Sequence, residues 1–293
     1  MSELVEKIEK NLLETYNRNP IVLDHGRGVY LYDVEGKGYL DFGSGIGVCA
    51  LGYGDAEYTE ALKNQIDKIM HVSNLFYTVP MGNAVTGLAE ATGLDKVFLC
   101  NSGTEAIEGA LKLARKYAIK KGSHGRTEII SMNKAFHGRS MGALSVTGTE
   151  KYRTPFEPLI SGVKFAEYND LESVKKLVDS KTCAILLETL QGEGGIYVAD
   201  QEFIQGIRKI CDDNDILMIC DEIQCGMGRT GKMFAYEYYG ILPDVVTMAK
   251  GIGCGTTVGA FAVSKAASIG LEAGDHGTTL VEILSHLPQF VQF

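Results

Sequence analysis

VFLCNSGTEAIEGALKLARKYA, residues 97–118, runs from a compact apolar stretch through a Ser-Gly-Thr turn into a patterned segment, and the reading of that junction decides the fold. Ile107, Ala110, Leu111, Ala114 and Ala118 fall on one stripe at helical spacing, so a helix starts near Thr104. Outward from there the pattern repeats. Compact apolar runs recur as EIISM at 128–132, AILLE at 184–188, ILMIC at 216–220, VVTMA at 245–249 and GAFAV at 259–263, with helical stretches between them. Such alternation predicts an α/β fold, a largely parallel sheet covered by helices on both faces. Ligands of these sheets gather outside the carboxyl ends of the strands, so chemistry is expected just after each run.

Composition narrows the function classes. With 293 residues, 45% hydrophobic and 22% charged, the chain is long enough for two domains or one large α/β unit. Lys and Arg number 28 against 37 Asp and Glu, and a net charge of −9 argues against nucleic acid as a partner. Seven scattered cysteines without a CxxC pair suit a reducing, cytoplasmic compartment and buried thiols, and no zinc spacing is present. The opening MSELVEKIEKNLLETYNRNP lacks an apolar core for a signal peptide, and no run is long enough to span a membrane. That opening reads as an amphipathic helix on Leu4, Ile8, Leu12 and Leu13, ended by Pro20, followed by a hairpin in GVYLYDVEGKGYLDF, residues 28–42, turning at Gly36–Gly38.

The residues after the runs carry the chemistry. Ser102, Gly103 and Thr104 stand in the mouth of a helix, where free N–H groups and the dipole favour an anion; simple N-capping by Ser or Thr is the structural alternative. GMGRTGKM, residues 226–233, matches GxGxxG and nearly matches a P-loop, but Met233 replaces the magnesium-holding hydroxyl and KMFAYEYYGILPD is cut by Gly240 and Pro243. A nucleotide site is therefore only a minor alternative. Asp221 ends an apolar strand, where a carboxylate needs a cation or donors; a protonated pyridine nitrogen is one counterpart, and a loop cap is another. Lys250 ends another run before GIGCG, where burial favours the neutral amine that attacks an aldehyde; a lysine reaching solvent is the alternative. In KAFHGRSMGALSVTG, residues 134–148, Phe136 could stack on a ring and Arg139 could hold a carboxylate in its planar fork. ETLQGEGG, residues 188–195, adds Glu188 and Glu193 as solvated charges or gates for substrate charge. An anion-binding helix start, an acidic strand end and a lysine before a Gly-rich turn together suit pyridoxal phosphate.

Taken together, NSGTEA, FHGR, QGEGG, DEIQCGMGRTG, AKG and GDHGTT make the chain resemble the class III, fold-type I pyridoxal-phosphate aminotransferases from about Tyr16 to Thr279, nearest to their acetylornithine branch. The resemblance implies that Lys250 forms the Schiff base with pyridoxal 5'-phosphate and shuttles protons. It implies that Asp221 pairs with the ring nitrogen, Gln224 with the ring oxygen, Phe136 with the ring face, and Ser102, Gly103 and Thr104 with the phosphate. Arg139 would take the substrate α-carboxylate, with Glu188 and Glu193 beside it, and Thr279 would reach the phosphate of the neighbouring subunit in a homodimer. The implied reaction moves the terminal amine of N2-acetyl-L-ornithine to 2-oxoglutarate, in arginine biosynthesis; ornithine, succinylornithine and 4-aminobutyrate enzymes share most of these motifs.

The same resemblance divides the chain into residues 1–43, contributing to a small domain, a cofactor-binding large domain at 44–279, and an atypical tail at 280–293. Departures are GYGDAE at 52–57, Glu188–Thr189 in place of Glu-Pro, and the tail LVEILSHLPQFVQF. Codons for Val281–Phe293 can be chosen so that the adjacent frame reads GGNPLSFAAVCAV, so a frameshift and an incomplete small domain are expected. An inactive truncated product is the non-catalytic alternative.

Overall fold

A computed structural model describes residues 2–280, and the tail in which a frameshift is expected lies almost wholly outside them. Near the N-terminus, β1 (Leu23–Arg27), β2 (Tyr30–Asp33) and β3 (Gly38–Leu40) form an antiparallel sheet, in which Tyr30 faces Leu40 and Leu31 faces Tyr39. The expected hairpin is thus present, widened by β1. Asp33 ties its turn, accepting from the N–H groups of Glu35 and Lys37 and from the Tyr39 hydroxyl. The first helix spans Ser2–Asn11 and ends well before Pro20, where the Asn11 side chain bonds back to the Lys7 carbonyl. Leu4, Ile8, Leu12 and Leu13 are exposed.

The body is a seven-stranded sheet. Its strands are β4 (Lys96–Cys100), β5 (Glu128–Met132), β6 (Val163–Ala166), β7 (Thr182–Leu187), β10 (Leu217–Asp221), β11 (Val245–Met248) and β12 (Gly259–Val263), with the short hairpin β8 (Leu190–Gln191) and β9 (Tyr197–Val198) outside it. The order across the sheet is β4-β12-β11-β10-β7-β5-β6. Every neighbouring pair is parallel except those of β12, which runs antiparallel to both β11 and β4. The α/β expectation holds, with one strand reversed and with β6 added at the edge.

Two cores follow from the strand period of two. In β7, Ile185 and Leu187 join a cluster with Leu88, Phe203 and Ile207, whereas Ala184 and Leu186 join Ile107, Leu111 and Leu113 on the other face. The helices Val79–Thr92 and Gln201–Asn214 therefore cover one face and Gly103–Lys120 the other. Gly109 lets the last of these lie close, because a Cβ there would come within 2.3 Å of the Phe261 ring. The GMGRTGKM segment opens no α-helix: turns run through it to the 3-10 helix Ala235–Tyr239, so the dinucleotide alternative is overturned by the lack of a helix start for a pyrophosphate.

Candidate active site

At the carboxyl ends of β4, β7, β10 and β11 a cavity of about 290 Å³ opens. Ser102, Gly103 and Thr104 line one side, where Ser102 caps the helix Gly103–Lys120 by accepting from the Glu105 N–H at 3.3 Å. Capping and an anion site are therefore compatible here, since one serine satisfies only one of the donors at a helix start. Thr104 Oγ1 bonds Ser140 Oγ at 2.8 Å, and Glu108 fixes the Ser140 turn by accepting from its hydroxyl and from the Gly142 and Ala143 N–H groups. Gly138 allows that contact: its φ is +134°, and a Cβ would sit 2.4 Å from Thr104 Oγ1.

Asp221 and Lys250 also line the cavity. Asp221 is buried at the end of β10, where its Oδ1 accepts from the Ile223 N–H at 3.0 Å and its Oδ2 lies 2.7 Å from His137 Nδ1. The far nitrogen of that imidazole, Nε2, is enclosed and has no partner among the described residues. Lys250 follows β11 with φ +48°, a left-handed conformation that costs a lysine roughly 1–2 kcal/mol. Strain of that kind collects where a side chain must be aimed. Gln224 also lines the cavity, and it is seated by Gly192, where a Cβ would fall 1.5 Å from Gln224 Oε1.

Phe136, Glu188 and Glu193 complete the expected lining. Glu188 Oε2 accepts from the Phe136 N–H at 3.2 Å. Burial, with the Asp221 charge next, raises the Glu188 carboxyl well above the usual carboxylate range. Two expected residues do not line the cavity. Arg139 is exposed, with its guanidinium over the rings of Tyr152 and Phe136, and Thr279 is exposed beyond Thr278. Thr278 itself is held at the rim, accepting from Asn101 Nδ2 at 2.8 Å.

Residues not singled out from sequence also reach the cavity: His137, Asn101, Val48 and the stretch Thr256–Val258. His137 lay inside the FHGR motif, but only its contact with Asp221 distinguishes it from a packed histidine. Thr256–Val258 precede β12, and they arrive at this rim because that strand is reversed.

The aminotransferase class-III family profile matches residues 13–282. Acetylornithine aminotransferase of Methanocaldococcus jannaschii is 47% identical over 271 residues, covering 92% of this chain and 68% of that protein. Among solved structures, ornithine aminotransferase of Toxoplasma gondii superposes with a TM-score of 0.94 at 27% identity, over 99% of this chain and 70% of its own. N-acetylornithine aminotransferase of Stenotrophomonas maltophilia gives 0.81 at 30% identity, over 98% and 70%.

Proposed function

Because the chain belongs to the class-III aminotransferases, we propose that it transfers the terminal amino group of N2-acetyl-L-ornithine to 2-oxoglutarate, a step of arginine biosynthesis. The observation that carries this reading is the convergence of an anion-binding helix start, a buried acid and Lys250 on one cavity. The residues fit pyridoxal 5'-phosphate, the cofactor of the family. The helix start suits a phosphate, the Asp221 carboxylate suits a protonated ring nitrogen, and Lys250 supplies an amine in the same cavity. When bound, the cofactor supplies an electron sink for the bond broken at the amine-bearing carbon.

The chain's own groups do the rest. Ser102, Gly103 and Thr104 would bind the phosphate, Phe136 would stack on the ring, and Gln224 would donate to the ring oxygen. Asp221, oriented by His137 and the Ile223 N–H, would hold the proton on the ring nitrogen. Lys250 would hold the cofactor through its amine, and the same amine, when free, would take the proton from the substrate carbon. Arg139 binds the α-carboxylate, and Glu188 and Glu193 tune charge at the mouth. Thr279 reaches the phosphate of the neighbouring subunit in a homodimer. Residues 1–43 contribute to a small domain and residues 44–279 form the cofactor-binding domain. Free thiols at all seven cysteines support a cytoplasmic setting, and among the described residues no helix is long and apolar enough to cross a membrane.

Borohydride reduction of protein mixed with pyridoxal phosphate, followed by peptide mapping, is expected to fix the label on the peptide carrying Lys250. A label elsewhere overturns the site. Turnover of N2-acetylornithine above ornithine and 4-aminobutyrate is expected, and preference for either competitor overturns the donor assignment.

A further inference from the structure

Arg139 lies beside this site, against the Phe136 ring. No carboxylate of the described chain pairs with it, and it makes no hydrogen bond with a described residue. Its guanidinium carbon lies 4.0 Å from the ring centroid of Tyr152 and 5.5 Å from that of Phe136. The two rings meet edge to face, with centroids 6.2 Å apart and planes at 84°. Phe136 lines the cavity, so the stack runs from the cavity wall outward to Tyr152. Tyr152 comes from a separate stretch, the short helix Glu150–Arg153, and is half-buried. Its hydroxyl bonds to no described residue, so the ring face is the part in use.

The physics of the stack differs from that of a salt bridge. A guanidinium held over an aromatic face keeps its in-plane N–H donors free at the edge, whereas a carboxylate partner would fix the group by consuming those donors. Lys151 Nζ, 5.0 Å from the same ring, adds positive charge nearby and no competing acceptor. A cation so placed is oriented and still vacant for a planar anion.

We propose that Tyr152 is a positioning residue for substrate carboxylates, its ring seating Arg139 beside Phe136 so that the fork meets the carboxylate of both the amino donor and the oxo-acid acceptor already aligned. This rests on the carboxylate-binding role of Arg139 given above. The ligand class is a flexible aliphatic carboxylate, bound through two parallel N–H bonds. The ring acts through its face, so phenylalanine should replace tyrosine and leucine should not.

The test uses cofactor-loaded protein with glutarate as the non-reacting dicarboxylate and pentylamine as an amine without a carboxylate, each titrated against the visible absorbance of the bound cofactor. Tyr152→Leu is expected to weaken glutarate by about fivefold to tenfold, with pentylamine unchanged and Tyr152→Phe within about twofold of the parent. Unchanged glutarate affinity in Tyr152→Leu, an equal loss in Tyr152→Phe, or an equal loss for pentylamine overturns the positioning role. Arg139→Gln separates the layers. If it leaves glutarate affinity intact, the carboxylate assignment of Arg139 falls and the positioning role with it. If it abolishes binding while Tyr152→Leu does not weaken it, only the role of Tyr152 falls.

Discussion

Glu188 and Glu222 follow neighbouring strands, β7 and β10, and both are buried, yet they are built for different ends. Glu222 is caged by donors: Ala235 N–H at 2.9 Å, Tyr236 N–H at 3.0 Å, the Thr189 hydroxyl at 3.1 Å and the Cys225 thiol at 3.4 Å. Burial still wins over those four donors and lifts its carboxyl to about 7. Glu188 has one backbone donor, lines the cavity, and feels the charges of Asp221, Lys250 and Glu193. A carboxyl whose partners all belong to the wall holds the wall together. One whose neighbours are cavity charges is available to a ligand.

The sharpest way to break this contrast lies with the amine that only Glu188 feels. Lys250→Ala is expected to lower turnover by about 10²–10⁴ through loss of the proton carrier, with thermal unfolding unchanged. A large drop in melting temperature would instead place Lys250 with the wall.

Next in size is the titration of Glu222. Its carboxyl sits near 4.5 in the unfolded chain and about 7 when folded, so the folded state binds the extra proton. Stability from this group is complete below pH 4.5 and is lost as pH rises toward 7, by about 3 kcal/mol. Urea unfolding at pH 5 and pH 8 should show a loss in the parent that exceeds the loss in Glu222→Gln by about 3 kcal/mol. Equal slopes in the two proteins would contradict it.

Glu222→Gln itself is expected to cost about 1–3 kcal/mol at pH 5, because its amide turns an NH₂ toward donors that need an acceptor. Smallest is Glu188→Gln. Its amide matches the acid in size and keeps an acceptor for the Phe136 N–H, so less than about 1 kcal/mol is expected, read by the same unfolding curves. Its effect should fall on the pH dependence of substrate KM. Matching losses in the two glutamine variants would erase the distinction between wall and cavity.

Much of this was legible from strand ends. Six apolar runs became sheet strands because a strand buried on both faces must be apolar at every position. VKFA at β6 escaped, being a part-exposed edge strand with a lysine in it. The reversal of β12 could not be read, since GAFAV is equally apolar in either direction. At the site, Ser102, Asp221 and Lys250 stood out as polar residues breaking apolar runs. His137 and Thr256–Val258 did not, because their roles depend on contacts between segments far apart in the chain.

The reversed β12 sets how Lys250 is carried. Because β11 and β12 are adjacent and antiparallel, the chain turns back without a crossover helix, and residues 249–258 form an arch with both footings in the sheet. Tyr58 braces its crown, donating to the Gly253 carbonyl at 2.6 Å. The amine therefore pivots on a span that cannot drift as a whole, and its reach is governed by its own four methylenes. Lengthening the arch by two glycines between Gly253 and Thr256 adds little closure entropy, so the sheet would survive while the lysine lost its aim.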